Sequence, residues 1–167
     1  MQQMRYAKWL VLIVSLTGCD ILSAGTLGAF QQWNFSATEK RLDKEMAVLY
    51  KNNPEYVIPE KWKYLDSWQE SGYGSLNGKI IYFSNRPEEM YYISYFEIEA
   101  NSPGNDSDST ITTIAVRAVN NGNSSWDTAE EFEKNKAEEK KINSRFYNEI
   151  ISKLEIQIGQ TAKKEKA

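Results

Sequence analysis

From Ile142 onward an apolar side chain returns every four residues: Ile142, Phe146, Ile150, Leu154 and Ile158, with Tyr147 and Ile151 beside them. That stripe predicts a helix with one face buried against something else. Upstream, Thr128 and Glu131 stand at capping-box spacing, so the helix is expected over 128–158, with Gly159 as its stop. Residues 133–141, "EKNKAEEKK", are charged almost throughout and must lie in solvent.

The stripe needs a partner, and the middle of the chain offers a sheet. "KIIYFS" (79–84) and "MYYISYFEIE" (90–99) are strands by composition, and "ITTIAVRAV" (111–119) alternates. Asn77-Gly78 is a turn signal, and "NRPEE" suits an antiparallel hairpin. A first helix is expected over 36–52. Ser36 and Glu39 form its cap, Leu42, Met46 and Leu49 its apolar face, and Asn53-Pro54 its end. Pro59 predicts a short helix through Leu65, with Trp62, Leu65 and Trp68 on one side. The expected fold is α+β, an antiparallel sheet of three or four strands flanked by an N-terminal helix and a long C-terminal helix. The divisions are a leader at 1–18, a tether at 19–35, one domain at 36–158 and a polar tail at 159–167.

The N-terminal segment has a different character. Met1–Lys8 carries Arg5 and Lys8 and no acid, and "WLVLIVSL" (9–16) is apolar but for Ser15. A basic head and an apolar core too short to span a bilayer describe a secretory signal peptide. Leu16-Thr17-Gly18-Cys19 then resembles the lipobox of bacterial lipoproteins. The resemblance covers residues 1–20 only. It implies cleavage between Gly18 and Cys19, with acyl chains on Cys19 holding the protein to the cell membrane, on the periplasmic face in a Gram-negative cell. Asp20 resembles the signal that retains some of these proteins in the inner membrane. The rival is an uncleaved signal anchor over 9–30, against which Asp20 stands as a charge near the middle of the span. Cys19 is the only cysteine, so an internal disulfide cannot form.

Loss of residues 1–18 leaves 149 residues, a single-domain length, and moves the formal charge from −3 to −5. That mildly acidic balance and the lack of a basic stripe do not suit nucleic acid. The chain has no histidine. The commonest general base is therefore missing, and with it the Ser-His-Asp and Cys-His nucleophile systems. No phosphate-cradling glycine motif is present. Asp66 with Glu70, or Glu88 with Glu89, remain as carboxylate pairs for a glycan hydrolase. Asn105, Asp106 and Asp108 lack the spacing and the closing Glu of a calcium loop. No cofactor or metal is expected.

Rings are plentiful, with 10 Tyr and 5 Trp. Trp62 and Trp68 crowd a turn-rich section. In the strand 90–99, Tyr92, Phe96 and Ile98 are assigned inward and Tyr91 and Tyr95 outward. Tyr91, Tyr95, Trp62 and Trp68 are thus the candidate binding surface, since Tyr and Trp combine rigid apolar area with a polar tip. The expected function is a non-enzymatic, membrane-anchored module that binds a protein of the cell envelope, such as an assembly subunit or an immunity-type protein. The alternatives are the hydrolase and a signal-anchored structural protein.

Overall fold

The structure is a computed structural model. It describes residues 28–74, 76–85, 87–100 and 109–165. The leader, Cys19, Asp20 and the Asn105–Asp108 loop lie outside the described residues.

The architecture is α+β, as the stripe and the strands predict, but the sheet has six strands. In chain order the elements are β1 (Gln32–Phe35), α1 (Glu39–Asn52), β2 (Asn77–Phe83), β3 (Glu89–Ala100), β4 (Ser109–Asn120), β5 (Asp127–Thr128), α2 (Lys136–Phe146), α3 (Ser152–Ile158) and β6 (Lys163–Glu165). All strand pairs are antiparallel, in the order β2-β3-β4-β1-β6, with β5 pairing to the end of β4.

The tether and tail expectations are corrected by the two outer additions. Gln32–Phe35 is a strand beside β4, with Trp33 opposite Ile114 and Phe35 opposite Thr112. Trp33 and Phe35 are buried, and they hold this short stretch in the sheet. Lys163–Glu165, read as tail, pairs with β1 through its backbone although all three side chains are exposed.

Helix α1 buries Leu42, Met46 and Leu49 as expected, but its cap is Thr38 and not Ser36. Thr38 Oγ1 accepts the Arg41 N–H at 3.2 Å, and Glu97 of β3 accepts the Glu39 N–H at 2.6 Å. Two of the helix's orphan donors are satisfied in this way. The Thr128–Glu131 box also forms, with the Thr128 N–H donating to Glu131 Oε2. It caps only a single 3₁₀ turn, Ala129–Phe132, whose Phe132 ring packs on Phe30 at 5.4 Å. The helix proper restarts at Lys136 under an Asn135 cap.

A strict four-residue period does not suit an α-helix. At 3.6 residues per turn each step overshoots by about 40°, so Ile142 and Ile158 would end on different sides. The chain resolves this with a wider π-helical turn at Tyr147–Ile151, between α2 and α3. Ile142, Phe146, Ile150, Ile151, Leu154 and Ile158 are consequently all buried in one core with α1 and the sheet. Gly159, at φ 78°, ends α3 in the left-handed conformation that glycine adopts freely.

Candidate functional site

Both faces of the sheet are covered, and this decides where the aromatic residues go. One face meets α1, α2 and α3. The other carries a second, smaller core of Leu65, Trp68, Ile80, Met90, Tyr92 and Ala118, with Trp62, Tyr73, Tyr82 and Trp126 packed against it. Its cover is the segment between α1 and β2. Pro54 starts a 3₁₀ turn, Pro59 precedes a second one (Glu60–Leu65), and a π-helical turn spans Gln69–Tyr73. Trp62, Leu65 and Trp68 do share one side, as expected.

The outward assignment of Tyr91 and Tyr95 is reversed. Both are fully buried, with Ile93, on the helix face of β3. The opposite set turns away from the helices: Tyr92 is buried in the second core, whereas Phe96 and Ile98 are 36% and 46% exposed. Strand β4 also departs from simple alternation. Tyr92 pairs with Ala118 but Ile93 pairs with Val116, so Arg117 is an extra residue, a β-bulge. Val119 rather than Ala118 therefore joins Ile114 and Val116 in the main core.

Trp68 is likewise buried. Its ring stacks on Tyr92 at 3.9 Å and 6°, and Trp126 and Tyr73 meet it edge-on at 5.3 and 5.6 Å. Tyr92 lies directly over Gly78, where a Cβ would come within 2.2 Å of the phenol oxygen. A side chain at position 78 would push the Tyr92 ring off its stack. Trp62 is half-buried and donates its indole N–H to Glu88 at 2.9 Å. Its neighbour Tyr64, with rings 6.2 Å apart, is 63% exposed. Of the four rings expected to form a binding surface, only Trp62 reaches solvent. Among the described residues the exposed rings are Tyr64 and Phe96. Strand alternation separates Phe96 from Tyr95 but carries no sign of which is inside.

The carboxylates divide between the two layers. Glu88 accepts hydrogen bonds from Trp62 and Tyr82 and pairs with Lys61 at 2.6 Å. Those bonds, led by the lysine, hold its pKa down to about 2, and burial, together with the same carboxylate, pushes the Tyr82 phenol up to about 12. Glu89, buried on the helix side, pairs with Arg145 at 2.7 Å and accepts the Tyr91 hydroxyl at 2.9 Å. Glu88 and Glu89 therefore do not face one cleft. Asp66 and Glu70 do line one cleft, of about 340 Å³, with Trp68, Gln69, Asn77 and Tyr92 among its other walls. Neither acid forms an ion pair among the described residues.

Glu88 makes an acid-sensitive contribution to stability. Its folded pKa lies below the ordinary 4.5, so its stabilising bonds are complete above that value and are lost as pH falls toward about 2. Glu88→Gln should lower the melting temperature at neutral pH and flatten its fall between about pH 4.5 and 2. An unchanged pH profile in thermal melts would count against this cradle.

Among the described residues no three metal-ligating side chains cluster, and no helix is long and apolar enough to cross a membrane. Comparison with protein-family models, with curated proteins and with solved structures finds no match to this chain.

Proposed function

We propose that the protein is a lipid-anchored module of the bacterial cell envelope that binds another protein and catalyses no reaction. The observation that carries this reading is Leu16-Thr17-Gly18-Cys19 behind a basic head and a short apolar core. The described chain begins at Gly28, whose N–H donates to Glu130 at 2.7 Å, and the Phe30 N–H already bonds the Val116 carbonyl. Gly28 follows Cys19 by nine residues, so the acylated cysteine would lie within about 30 Å of it. Two or three acyl chains on Cys19 would hold the domain lastingly at the membrane, which one chain does not. Asp20 favours retention in the inner membrane.

The chain enters beside the C-terminal part of β4. The far end of the β3–β4 hairpin lies seven residues back along β4, from Val116 to Ser109, roughly 23 Å away. In this reading the domain has an anchored end and a presented end, with Ile98, opposite Ile111, toward the presented one and Phe96, opposite Thr113, midway between them. A glycan hydrolase would need two carboxyls opposed across a cleft, one with a raised pKa. Glu88 is held low and Glu89 faces the other layer, while Asp66 and Glu70 lie four residues apart on one segment, which supports binding over hydrolysis.

Intact-mass measurement of the protein extracted from bacterial membranes tests the anchor. The expected species begins at Cys19 and carries acyl mass, and Cys19→Ser should abolish both processing and lipid. A full-length chain beginning at Met1 with a free thiol would instead mean a signal-anchored protein.

A further inference from the structure

Strand β2 pairs with β3 only as far as Asn77 opposite Tyr95. Strand β3 continues to Ala100, still paired with β4 on its other side. From Phe96 onward, no described strand covers the second edge of β3. Half of the backbone N–H and C=O groups along such an edge point outward, ready to pair with an extended chain. The opposite edge of the sheet is differently built. There β6 is three residues long with exposed Lys163, Lys164 and Glu165, the short charged form that resists pairing. At β3 the edge carries Phe96 and Ile98, large, apolar and exposed on one face, with Glu97 between them.

That face leads back to the cleft. Tyr92, four residues before Phe96 on the same side of β3, forms one wall, and among the described residues Asp66 and Glu70 are the charged ones lining it. Asn77, at the end of β2, forms another wall and marks where the open edge begins. Arg117 lies 5.9 Å from the Phe96 ring centre; it is buried and donates to Ser94. The accessible surface is therefore an apolar strip with an acidic cleft at one end.

Resting on the protein-binding reading above, we propose that this edge docks an extended segment of a partner protein by strand addition. The segment lies in line with β2, its backbone pairs with β3 at Phe96–Ile98, and its apolar side chains cover Phe96 and Ile98. A lysine or arginine at its end near Asn77 enters the Asp66/Glu70 cleft. Backbone pairing supplies the affinity and the charged pocket the choice of partner, as in other strand-addition complexes.

The probe is a labelled, end-blocked peptide KKTVTVTKK, titrated by fluorescence anisotropy against the full lipidated chain in neutral detergent. It should bind, and the acidic counterpart EETVTVTEE should not. Alternate N-methylation of the peptide, Phe96→Ser with Ile98→Ser, and Asp66→Asn with Glu70→Gln should each weaken binding at least tenfold. Equal binding of the acidic peptide, or indifference to both N-methylation and the edge substitutions, would overturn the proposal. The N-methylated peptide needs no protein variant, so a variant that misfolds does not blunt the test. A photo-crosslinking residue in native membranes separates this inference from the broader reading. Cross-linking to a protein from position 64 but not 96 refutes the edge and keeps the binding module, and cross-linking from neither position refutes both.

Discussion

Arg145→Ala will cost about 3–5 kcal/mol of stability, because it leaves Glu89 buried without its partner. Glu89 is only 2% exposed, and Arg145 Nη1 lies 2.7 Å from its Oε2 and 3.2 Å from the Pro87 carbonyl. Lys141, 3.8 Å from the other carboxylate oxygen, is too far to donate a hydrogen bond in its place. The guanidinium also lies 4.5 Å from the Phe83 ring centre, so its loss removes packing as well as charge. The measurement is urea unfolding of the variant beside the parent. Arg145→Met with Glu89→Gln should recover much of the loss, since breaking a buried pair costs more than replacing both members. A single variant as stable as the parent would show that the pair is solvated.

Tyr91→Ala and Tyr95→Ala will each lose about 3–5 kcal/mol, the range for emptying a large ring from a core. Tyr91 packs edge-on against Phe83 at 4.9 Å and lies near Phe146. Its hydroxyl is bonded to Glu89, and burial with that carboxylate holds its pKa well above the ordinary phenol value. Tyr95 donates to Asp43, which also pairs with Lys79 at 2.9 Å; the two bonds lower the Asp43 pKa. Tyr91→Phe and Tyr95→Phe keep the ring and should each lose only about 0.5–1.5 kcal/mol. Thermal melts of the four variants decide the matter. Alanine variants that melt like the parent would return these rings to the surface.

The sequence was most informative where one periodic pattern covers many residues. The apolar stripe of Ile142–Ile158 marked the C-terminal helix, and Leu42, Met46 and Leu49 marked the buried face of α1. Composition found β2 and β3 and alternation found β4, although Asn77-Gly78, read as a turn, lies inside β2 opposite Tyr95 and Ser94. Gly159 stopped its helix as expected because the requirement for positive φ is local. The absence of histidine and the lone Cys19 bound the chemistry without any fold.

What it could not carry was the choice between faces and edges. Alternation in β3 sorted Tyr91, Ile93 and Tyr95 from Tyr92, Phe96 and Ile98, yet both sets are apolar. Which set met the helices depended on how the strands packed against α1 and α2, a contact distant in sequence. The bulge at Arg117 shifted the last three residues of β4 by one position, and nothing in "ITTIAVRAV" announces where the extra residue falls. Strands β1 and β6 are four and three residues long, too short for a period, and β6 has no apolar residue at all. They exist because the free edges of β4 and then β1 supply backbone partners. The open edge at Phe96 arises from the same cause: β3 is longer than the strand beside it, a mismatch that takes shape only when the pairing register is set.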